Sequence, residues 1–398
     1  MSALPLRLLT FSTLFPYPGA PNHGVFVENR LRHLLASGAA TSRVVAPVPW
    51  FPAACIGPLS FGSWGRSAAA PRFETRDGMK IYHPRYVAVP KVGMSIAPAS
   101  LYAATIRLAR RLQREADFDL IDAHYVYPDG VAAVMLGRVL GKPVVITARG
   151  SDVTQLPGFA VPRRWILWAL RQADALISVS AGLKAAMVEL GVPSEKITVL
   201  RNGVDLLAFT PQDRAASRIS LGLSGPTLLS VGLLNERKGH HRTIEAMRLL
   251  PEWRLLIVGD GPDRTRLQRQ AEALGVSDRV SLVGARPHKE LARYYSAADA
   301  LVLASSREGW ANVLLEAMAC GTPVVASPIP GNPEVVQEMA AGVIMAVNTA
   351  AGVAAGVRAL QQDRRPSSHT RAYAERFSWD ATSQGQADVF GQVLRRAG

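Results

Sequence analysis

Two glutamates, Glu308 and Glu316, stand eight positions apart in the second half of the chain. The apolar run 299–304 before them predicts a buried strand, and the residues after it predict a helix capped by Asn312 and running to about Ala319. Glu308 is then expected in the loop at the carboxyl end of the strand, with Glu316 about one turn into the helix. Carboxylates can bind sugar hydroxyls and free helix amides attract anions, so the arrangement would suit a nucleotide sugar. An ordinary βαβ unit with surface glutamates would show the same spacing.

A lysine supplies a second candidate group. Lys238 follows the predicted strand 227–231, close to an expected helix start. Its ammonium group could stabilise the charge that develops on a leaving diphosphate, which is usually a large term in catalysis. A solvated basic loop is the alternative. In the first half, Gly24 precedes an amphipathic helix, where it could let a donor phosphate or an acceptor approach the backbone or could serve the loop geometry alone.

Polar side chains also follow two predicted strands of the first half. His124 comes directly after the strand 119–123, and Arg149 and Asp152 follow the strand 144–147. A guanidinium keeps its proton at neutral pH, so Arg149 cannot act as a general base and could instead bind an anionic acceptor such as a diphosphate or uronate. A buried, hydrogen-bonded histidine is the alternative interpretation of His124.

Short β-branched or leucine-rich runs alternate with amphipathic helical stretches along the whole chain, which predicts an α/β fold with two doubly wound parallel sheets. Ligands of such sheets bind outside the carboxyl ends of the strands, so we expect a site in the cleft between two domains. The segment 50–98 is richer in Pro, Gly and Ser, which predicts long loops and leaves room for an added hairpin. The predicted strands are 7–11, 43–48, 119–123, 144–147, 175–179 and 197–200 in the first half, and 227–231, 254–258, 280–283, 300–304, 324–326 and 343–346 in the second.

Composition limits the class of protein. A chain of 398 residues, 48% hydrophobic and 19% charged, fits two globular domains, and none of its apolar runs approaches the ~18 residues that cross a bilayer. The net charge of +14 comes without a basic run interleaved with aromatic residues, so no nucleic-acid partner is expected. Two cysteines, Cys55 and Cys320, cannot form a disulfide framework, which favours a reducing cytoplasm. Adjacent His240 and His241 would point apart on a helix and predict no metal site.

The segment 162–171 combines arginines with Trp165 and Trp168 on a predicted helix. Such a helix could dock on an anionic membrane surface. A packed helix with two core tryptophans is the alternative interpretation.

The string 305–336, together with Lys238-Gly239 and 202–205, resembles the signature of the family 4 retaining glycosyltransferases, and the resemblance covers nearly the whole chain. It implies the GT-B fold, in which two Rossmann-like domains face a central cleft. The segments 147–152 and 307–310 look most like those of bacterial teichuronic-acid and exopolysaccharide glycosyltransferases. The domains implied are an acceptor-binding domain at 1–205, a nucleotide-sugar-binding domain at 206–375 and a C-terminal helix at 376–398 that packs back on the first domain.

The resemblance also implies roles for single residues. Glu308 and Lys238 would be the catalytic pair, with Glu308 on the transferred sugar and Lys238 on the diphosphate, while Glu316 would bind the ribose. Family members carry an arginine where Leu233 stands, so either Arg237 or Arg242 would compensate or another subfamily arrangement would apply. The further residues expected at the donor site are Arg237, Gly309, Trp310, Ala311, Asn312, Val313 and Gly24, and those expected at the acceptor cleft are His124, Arg149, Asp152 and Asn202.

The function implied is retaining transfer of a hexose or related sugar from a nucleotide diphosphate-sugar, with UDP ahead of GDP as the expected nucleotide. The acceptor would be lipid-linked or a saccharide, in the synthesis of bacterial cell-surface polysaccharide. No metal or other cofactor is expected, and the enzyme would lie in the cytoplasm or peripherally at the inner face of the plasma membrane. A noncatalytic sugar-nucleotide or polyanion-binding protein and a nucleotide-sugar epimerase remain alternatives, because a fold alone does not fix function.

Overall fold

The computed structural model describes residues 5–50, 70–88, 93–363 and 365–397, so Cys55 and part of the segment 50–98 lie outside the description. The chain divides into two compact units. Unit 1 comprises Met1–Arg201 and Asp380–Gly398, and unit 2 comprises Asn202–Trp379. The domain boundary expected after residue 205 lies close to this division.

Unit 1 is an α/β unit built mainly on parallel strands. Its strands are β1 (Leu6–Phe11), β2 (Ala40–Val45), β3 (Val48–Trp50), β4 (Phe73–Arg76), β5 (Met79–Tyr82), β6 (Arg85–Val87), β7 (Leu120–His124), β8 (Val144–Ala148), β9 (Ala175–Ser178) and β10 (Ile197–Val199). Eight of them form one sheet in the order β10-β9-β8-β7-β1-β2-β5-β4, and β3 pairs with β6. The pair β4–β5 is antiparallel and forms the hairpin for which the sequence left room.

The helices of unit 1 connect these strands and cover the sheet. They are α1 (Val25–Ala36), α2 (Gly93–Glu115), α3 (Val131–Leu140), α4 (Ser151–Thr154), α5 (Ala160–Gln172) and α6 (Ala181–Glu189). Strands β7 and β8 are buried along their whole length, as expected for central parallel strands covered on both faces.

Unit 2 is a doubly wound parallel sheet. Its strands are β11 (Thr227–Val231), β12 (Arg254–Val258), β13 (Val280–Gly284), β14 (Ala300–Leu303), β15 (Val324–Ala326) and β16 (Gly342–Ile344), in the order β13-β12-β11-β14-β15-β16. Its helices are α7 (Arg214–Ser220), α8 (His240–Ala246), α9 (Arg264–Ala273), α10 (Leu291–Ala297), α11 (Asn312–Ala319), α12 (Asn332–Val335), α13 (Ala350–Gln362) and α14 (Ser367–Glu375). The expected α/β class with two doubly wound sheets is confirmed.

Each sheet has one place where its strand order reverses. In unit 1 the chain winds away in opposite directions from β1 and β7, and in unit 2 from β11 and β14. At such a switch point the loops leave the carboxyl ends of the strands on opposite faces, so a crevice opens between them. The loops after β1, β7, β11 and β14 are therefore the places where ligand-binding side chains belong.

The end of the chain returns to the first unit. The last helix, α15 (Trp379–Ala397), belongs to unit 1 from Asp380 onward. Its side chains Val389, Phe390 and Val393 are buried in a cluster with Leu8 of β1 and other residues of the sheet. Over the described part of the chain, no helix is both long enough and apolar enough to cross a membrane.

Candidate active site

Lys238 sits beside the switch point of unit 2, in a short 3-10 turn directly after β11. The side chain of Asn235 caps this turn by accepting a hydrogen bond from the amide of Lys238 at 3.2 Å. Gly232 has φ +152°, and a Cβ there would lie 3.3 Å from Cδ and Cε of Lys238. At Gly239, φ is +72° and a Cβ would lie 1.9 Å from the carbonyl oxygen of Ala304. The two glycines thus let the lysine chain pass over the end of β11 and let its turn pack on the end of β14.

Glu308 forms ion pairs with two residues of this turn, Arg237 and Lys238. Nζ of Lys238 lies 2.8 Å from Oε1 of Glu308, and Nη1 of Arg237 lies 3.2 Å from Oε2. The hydroxyl of Ser305 donates to Oε1 at 2.7 Å. We call Arg237, Lys238, Ser305 and Glu308 the cation cluster, because two cations face one carboxylate.

Electrostatics keep the carboxylate of this cluster charged. Burial alone would raise the pKa of Glu308, but the charges of Lys238 and Arg237 and the hydrogen bonds to the carboxylate hold that pKa below its ordinary value. The side chain of Glu308 is only 9% exposed, whereas those of Lys238 and Arg237 are 14% and 36% exposed. The cation cluster therefore carries one net positive charge and stays partly open to solvent.

Helix α11 begins beside this cluster without a side-chain cap. Its N-cap residue is Ala311, whose side chain cannot accept a hydrogen bond from the first turn. The prediction that Asn312 caps the helix is wrong, since Asn312 is the first helical residue and its Oδ1 accepts from Nδ2 of Asn202 at 3.2 Å. The first amides of an uncapped helix keep their capacity to bind an anion. Of the other residues expected here, Gly309 and Trp310 are buried and Val313 is half-buried.

Glu316 is held by two residues that the sequence did not single out. His288 places Nε2 3.0 Å from Oε1 of Glu316, and the hydroxyl of Tyr295 donates to Oε2 at 2.8 Å. The ring of Phe209 packs edge-on against both partners, with centroid separations of 4.9 and 5.9 Å. Burial and the neighbouring carboxylate raise the pKa of Tyr295 well above its ordinary value, so the hydroxyl remains a donor. The carboxylate of Glu316 is therefore fixed in position on α11.

The residues of unit 1 that the sequence predicted at the acceptor cleft form a second cluster, which is more buried than the cation cluster. Nη2 of Arg149 lies 2.8 Å from Nδ1 of His124. Because a guanidinium only donates, Nδ1 accepts and the ring proton is on Nε2, which lies 3.2 Å from Oδ2 of Asp122. Burial, with the charges of Arg149 and Arg30, lowers the pKa of His124, which is therefore neutral.

Asp152 shapes the loop that carries Arg149. Its carboxylate accepts from the amides of Val126, Arg149 and Gly150 at 2.9, 3.1 and 2.6 Å. All three amides belong to the loops that follow β7 and β8. Asp152 thus holds these two loops in register at the carboxyl edge of the sheet.

This second cluster also includes Gln386, which lies on the last helix. Nε of Arg30 donates to Oε1 of Gln386 at 2.9 Å, and Nε2 of Gln386 lies 3.3 Å from Oδ2 of Asp122. Desolvation lowers the pKa of Arg30 to about 10 and lowers that of Arg149 as well. We call Arg30, Asp122, His124, Arg149 and Gln386 the buried network. Arg30 and Gln386 were not predicted, because they stand 356 positions apart and meet only through the fold.

The backbone geometry at Gly24 accounts for a glycine at this position. It adopts φ +70° at the start of α1, and a Cβ there would lie 2.2 Å from the carbonyl carbon of Leu14. The loop after β1 therefore requires a glycine, whatever ligand it contacts. The same loop is tied to the loop after β7, since the amide and hydroxyl of Thr13 both donate to Asp129, the hydroxyl at 3.0 Å. Burial raises the pKa of Asp129 to about 7.

His240, the first residue of α8, is buried and lies within hydrogen-bond distance of a neighbouring side chain. Nδ1 of His240 lies 2.9 Å from the hydroxyl of Ser230, and burial together with Lys238 lowers the pKa of His240 to about 4. In the described ranges, no group of three His, Cys, Asp or Glu side chains is arranged to hold a metal ion.

The structure thus gathers the candidate residues in two places. Within unit 2 it brings together Lys238, Arg237 and Glu308, and it joins Asn202 to Asn312 rather than to the acceptor-side residues of unit 1. Leu233, at the position of the missing arginine, is 53% exposed, and Arg242 donates to the carbonyl of Ala304 at 3.3 Å. Of the two arginines considered as replacements, Arg237 is the one that contacts Glu308.

The two doubly wound units give the chain the GT-B fold, which it shares with solved glycosyltransferase structures. The chain belongs to glycosyltransferase family 4. The family model "Glycosyl transferases group 1" matches residues 213–377, and "Glycosyltransferase Family 4" matches residues 65–206. A D-inositol 3-phosphate glycosyltransferase of Mycobacteroides abscessus is 33% identical over 325 residues, which cover 74% of this chain and 70% of the relative. The putative teichuronic acid biosynthesis glycosyltransferase TuaC of Bacillus subtilis is 28% identical over 333 residues, 82% of each chain.

Solved structures share the fold over almost the full length. The sucrose-phosphate synthase of Thermosynechococcus elongatus superposes with a TM-score of 0.78 at 21% identity, covering 98% of this chain and 100% of that one. HepE of Anabaena, solved in complex with UDP and glucose, gives a TM-score of 0.73 at 21% identity and covers 97% and 99%. Membership of family 4 makes the protein a glycosyltransferase.

Proposed function

We propose that this glycosyltransferase moves a sugar from a UDP-sugar to a lipid-linked or saccharide acceptor, with retention of the anomeric configuration, in the synthesis of a bacterial cell-surface polysaccharide. Unit 2 would bind the donor and unit 1 the acceptor. The observation that carries the proposal is the cation cluster, in which Lys238 and Arg237 flank Glu308 at the switch point of unit 2. The name of TuaC supports the cell-surface assignment, and the UDP and glucose in the HepE complex support a UDP-sugar over a GDP-sugar.

The cation cluster would act on the diphosphate of the donor. With no ligand bound, the two cations are shared by one carboxylate, so one positive charge is left to attract an anion. A diphosphate placed between these cations and the uncapped end of α11 would meet an ammonium, a guanidinium and free amides. Glu308 would then turn its oxygens to the hydroxyls of the transferred sugar, while Glu316, already oriented by His288 and Tyr295, would accept hydrogen bonds from the ribose.

The reaction we propose proceeds on one face of the sugar. The bond from the anomeric carbon to the diphosphate oxygen breaks while the acceptor oxygen bonds the same carbon from the same side. The leaving phosphate oxygen takes the proton of the acceptor hydroxyl. Lys238 and Arg237 stabilise the negative charge that grows on the diphosphate, and groups oriented in advance make this the dominant contribution.

No metal or other cofactor enters this proposal. Two fixed cations supply the charge neutralisation that a divalent ion provides in other nucleotide-sugar sites. We expect turnover to be unchanged when a chelator is added to the assay. Loss of activity with the chelator, restored by one divalent ion, would contradict this part of the proposal.

A panel of donors tests the central claim. Specific binding raises the melting temperature of the folded chain. We expect UDP-sugars to raise it more than GDP- or ADP-sugars do, and the Lys238→Ala variant to lose most of that increase. With the preferred donor and a glycolipid or oligosaccharide acceptor, NMR of the product should show the anomeric configuration of the donor; inversion would refute the retaining mechanism.

We also propose that helix α5 contacts an anionic membrane. Its buried side, which includes Pro162, Ile166 and Leu170, packs into unit 1, and its other side carries Val161, 46% exposed, with half-exposed tryptophans. The rings of Trp165 and Trp168 meet edge-on at 5.6 Å, and Arg138 stacks over Trp168 at 5.0 Å. The exposed arginines nearby are Arg163, Arg164 and Arg171, and the helix contains no acidic residue. Tryptophan at the headgroup level and arginine toward anionic lipid suit this surface, and they support a peripheral position at the inner face of the plasma membrane.

Vesicles test the membrane contact. The chain should sediment with phosphatidylglycerol-containing vesicles and stay in solution with pure phosphatidylcholine. Reversing charge on the outer side of the helix, in an Arg164→Glu/Arg171→Glu variant, should weaken binding by about tenfold or more, since each arginine near the surface contributes about 1 kcal/mol. The matched control is Arg107→Glu/Arg110→Glu on α2, which changes the net charge equally. Equal losses in both variants would assign the binding to overall charge and refute a docking helix.

A further inference from the structure

Unit 1 contains an open groove of about 710 Å³ between the β4–β5 hairpin and helix α2. Its polar lining is dominated by three arginines, and two aromatic rings form its apolar part. We call it the arginine groove and define it by Arg72, Phe73, Tyr82, Arg85 and Arg111. None of these residues belongs to the buried network or to the cation cluster.

One wall of the groove lies level with the carboxyl end of β1, since Phe11 pairs with Val45 and Val45 pairs with Tyr82. Phe73, the first residue of β4, pairs with Tyr82, the last residue of β5. Strand β5 runs parallel to β2, and β2 runs parallel to β1. Tyr82 therefore marks the same carboxyl edge as the loop after β1. Ligands of doubly wound sheets bind along this edge.

The aromatic residues offer a ring-sized apolar surface. The rings of Phe73 and Tyr82 lie 5.0 Å apart, tilted by 48°. Phe73 is 47% exposed, so its ring is accessible to a ligand in the groove. The C–H face of a pyranose ring can pack on such a surface and remove apolar area from water.

The arginines give the groove its charge. Arg72, Arg85 and Arg111 are all exposed, and Cζ of Arg111 lies 5.9 Å from the centroid of the Tyr82 ring. Arg111 also pairs with Glu115 at 3.4 Å, but both side chains are at least half exposed. An exposed pair of this kind contributes little, so a carboxylate of a ligand can replace Glu115 at small cost. Guanidinium groups bind carboxylate and phosphate groups with two parallel hydrogen bonds.

We propose that the arginine groove binds an acidic saccharide, one whose rings carry carboxylate or phosphate groups, as the part of the acceptor that lies remote from the reacting hydroxyl. The inference rests on the proposed function for the statement that the ligand is an acceptor. Its chemistry comes from the groove, since aromatic rings recognise sugar faces and arginines recognise the acidic groups. A neutral glycan offers no acidic group to the arginines that line the groove. A nucleic acid would satisfy the same groups by stacking bases, so the test must distinguish it.

The test uses the full chain and calorimetric titration with three probes. They are a tetramer of galacturonic acid, the neutral tetramer maltotetraose, and a short single-stranded DNA of the same net charge as the acidic tetramer. We expect the acidic tetramer to bind at least about tenfold more tightly than either other probe, which corresponds to about 1.4 kcal/mol. Its affinity should fall as salt is raised, because exposed charges are screened.

Variants locate the binding. Arg72→Ala/Arg111→Ala should weaken binding of the acidic tetramer by about tenfold or more, and Phe73→Ala should weaken it by a few-fold. The matched control is Arg110→Ala, which removes an exposed arginine next to Arg111 on α2 and should leave the affinity unchanged. Equal affinity for the neutral tetramer, tighter binding of DNA, or an equal loss with Arg110→Ala would each overturn the proposal.

Donor binding separates this proposal from the proposed function. The groove variants should keep the full melting-temperature increase that UDP produces in the wild type, which also shows that they are folded. If the wild type binds the acidic tetramer but no UDP-sugar, the donor assignment fails while the groove stands. If it binds UDP-sugar but the acidic tetramer no better than the neutral one, the groove proposal fails alone.

Discussion

Both units place charged side chains at the switch point of a doubly wound sheet, but the two groups of charges differ in how far they are buried. In unit 1 the buried network lies at the switch between β1 and β7, and Asp122 and His124 are fully buried. In unit 2 the cation cluster lies at the switch between β11 and β14, and Lys238 and Arg237 remain 14% and 36% exposed. A charge sealed from water is held by its protein partners, whereas a charge that still reaches water can exchange partners for a ligand. By this criterion the buried network is suited to fix geometry, and the cation cluster is suited to bind a ligand.

The largest effect should follow from removing the single carboxylate of the buried network. In Asp122→Asn, Arg30 and Arg149 lose the charge of Asp122 in a buried site, which should cost about 3–5 kcal/mol of stability. Hydrogen exchange read by mass spectrometry should show faster exchange in β7 and β8. The matched variant in unit 2, Glu308→Gln, should cost only about 1 kcal/mol, since its cations are partly solvated. Equal costs in the two units would erase the distinction between them.

Asp129 should give unit 1 a pH dependence. Its pKa is about 7 when folded and near 3.8 when unfolded, so the folded state binds the proton more tightly. The stability that this proton contributes is complete below pH 3.8 and is lost as the pH rises to 7. The shift of about three pKa units corresponds to at most about 4 kcal/mol.

Asp129→Asn cannot ionise, and it isolates this contribution. The free energy of unfolding of the wild type relative to this variant should fall steadily from pH 4 to 7. Urea titrations at four pH values measure the difference. A difference that does not change with pH would show that Asp129 does not titrate in this range.

Lys238→Ala tests whether the cation cluster of unit 2 binds and stabilises a leaving group. Loss of one positioned charge on a developing anion should lower kcat by about 10²–10³, equivalent to about 2.7–4 kcal/mol. Stability should change little, in contrast to Asp122→Asn. Arg269→Ala, which removes an exposed cation of α9, serves as the control and should retain full turnover. Near-normal turnover in Lys238→Ala would end the assignment of the cluster as catalytic.

The smallest effect should come from Tyr295, which acts through Glu316. Tyr295→Phe removes one hydrogen bond to the carboxylate and should raise KM for the donor about tenfold, or about 1.4 kcal/mol, with kcat nearly unchanged. Tyr373→Phe removes a hydroxyl of the same unit that donates to the carbonyl of Val335 at 2.8 Å, and it should leave KM unchanged. If the two variants raise KM equally, Tyr295 has a purely structural role.

The strands of unit 2 were easier to predict than those of unit 1. Strands β11, β12 and β15 have the bounds that the sequence predicted, because a buried parallel strand is a short apolar run with sharp ends. The sequence left room for a hairpin in the segment 50–98 but gave no bounds for its strands, of which β5 is an example. Its four residues, Met79–Tyr82, alternate between buried and exposed positions next to a turn, and this pattern is too short to stand out.

Some residues of the candidate site were predicted from the sequence and others were not. The sequence singled out Glu308 and Lys238 because each follows a predicted strand, and Glu316 because it lies on the predicted helix that comes next. Their partners His288 and Tyr295 have no motif, since they meet Glu316 only after α10 and α11 have packed. The wrong cap at Asn312 has the same origin, because its side chain is engaged by Asn202, 110 positions away. Local rules assign capping residues well only when no distant partner competes.

The return of α15 to unit 1 has a consequence for how the protein is made. Phe390 and its neighbours fill the core beside Leu8, and Gln386 is the partner of Arg30. A ribosome adding roughly 5–20 residues per second needs on the order of ten to forty seconds to go from residue 201 to the end of the chain. During that interval the first half lacks the side chains that cover Leu8 and the amide oxygen that accepts from Nε of Arg30, so the core of unit 1 is completed only when translation is nearly finished.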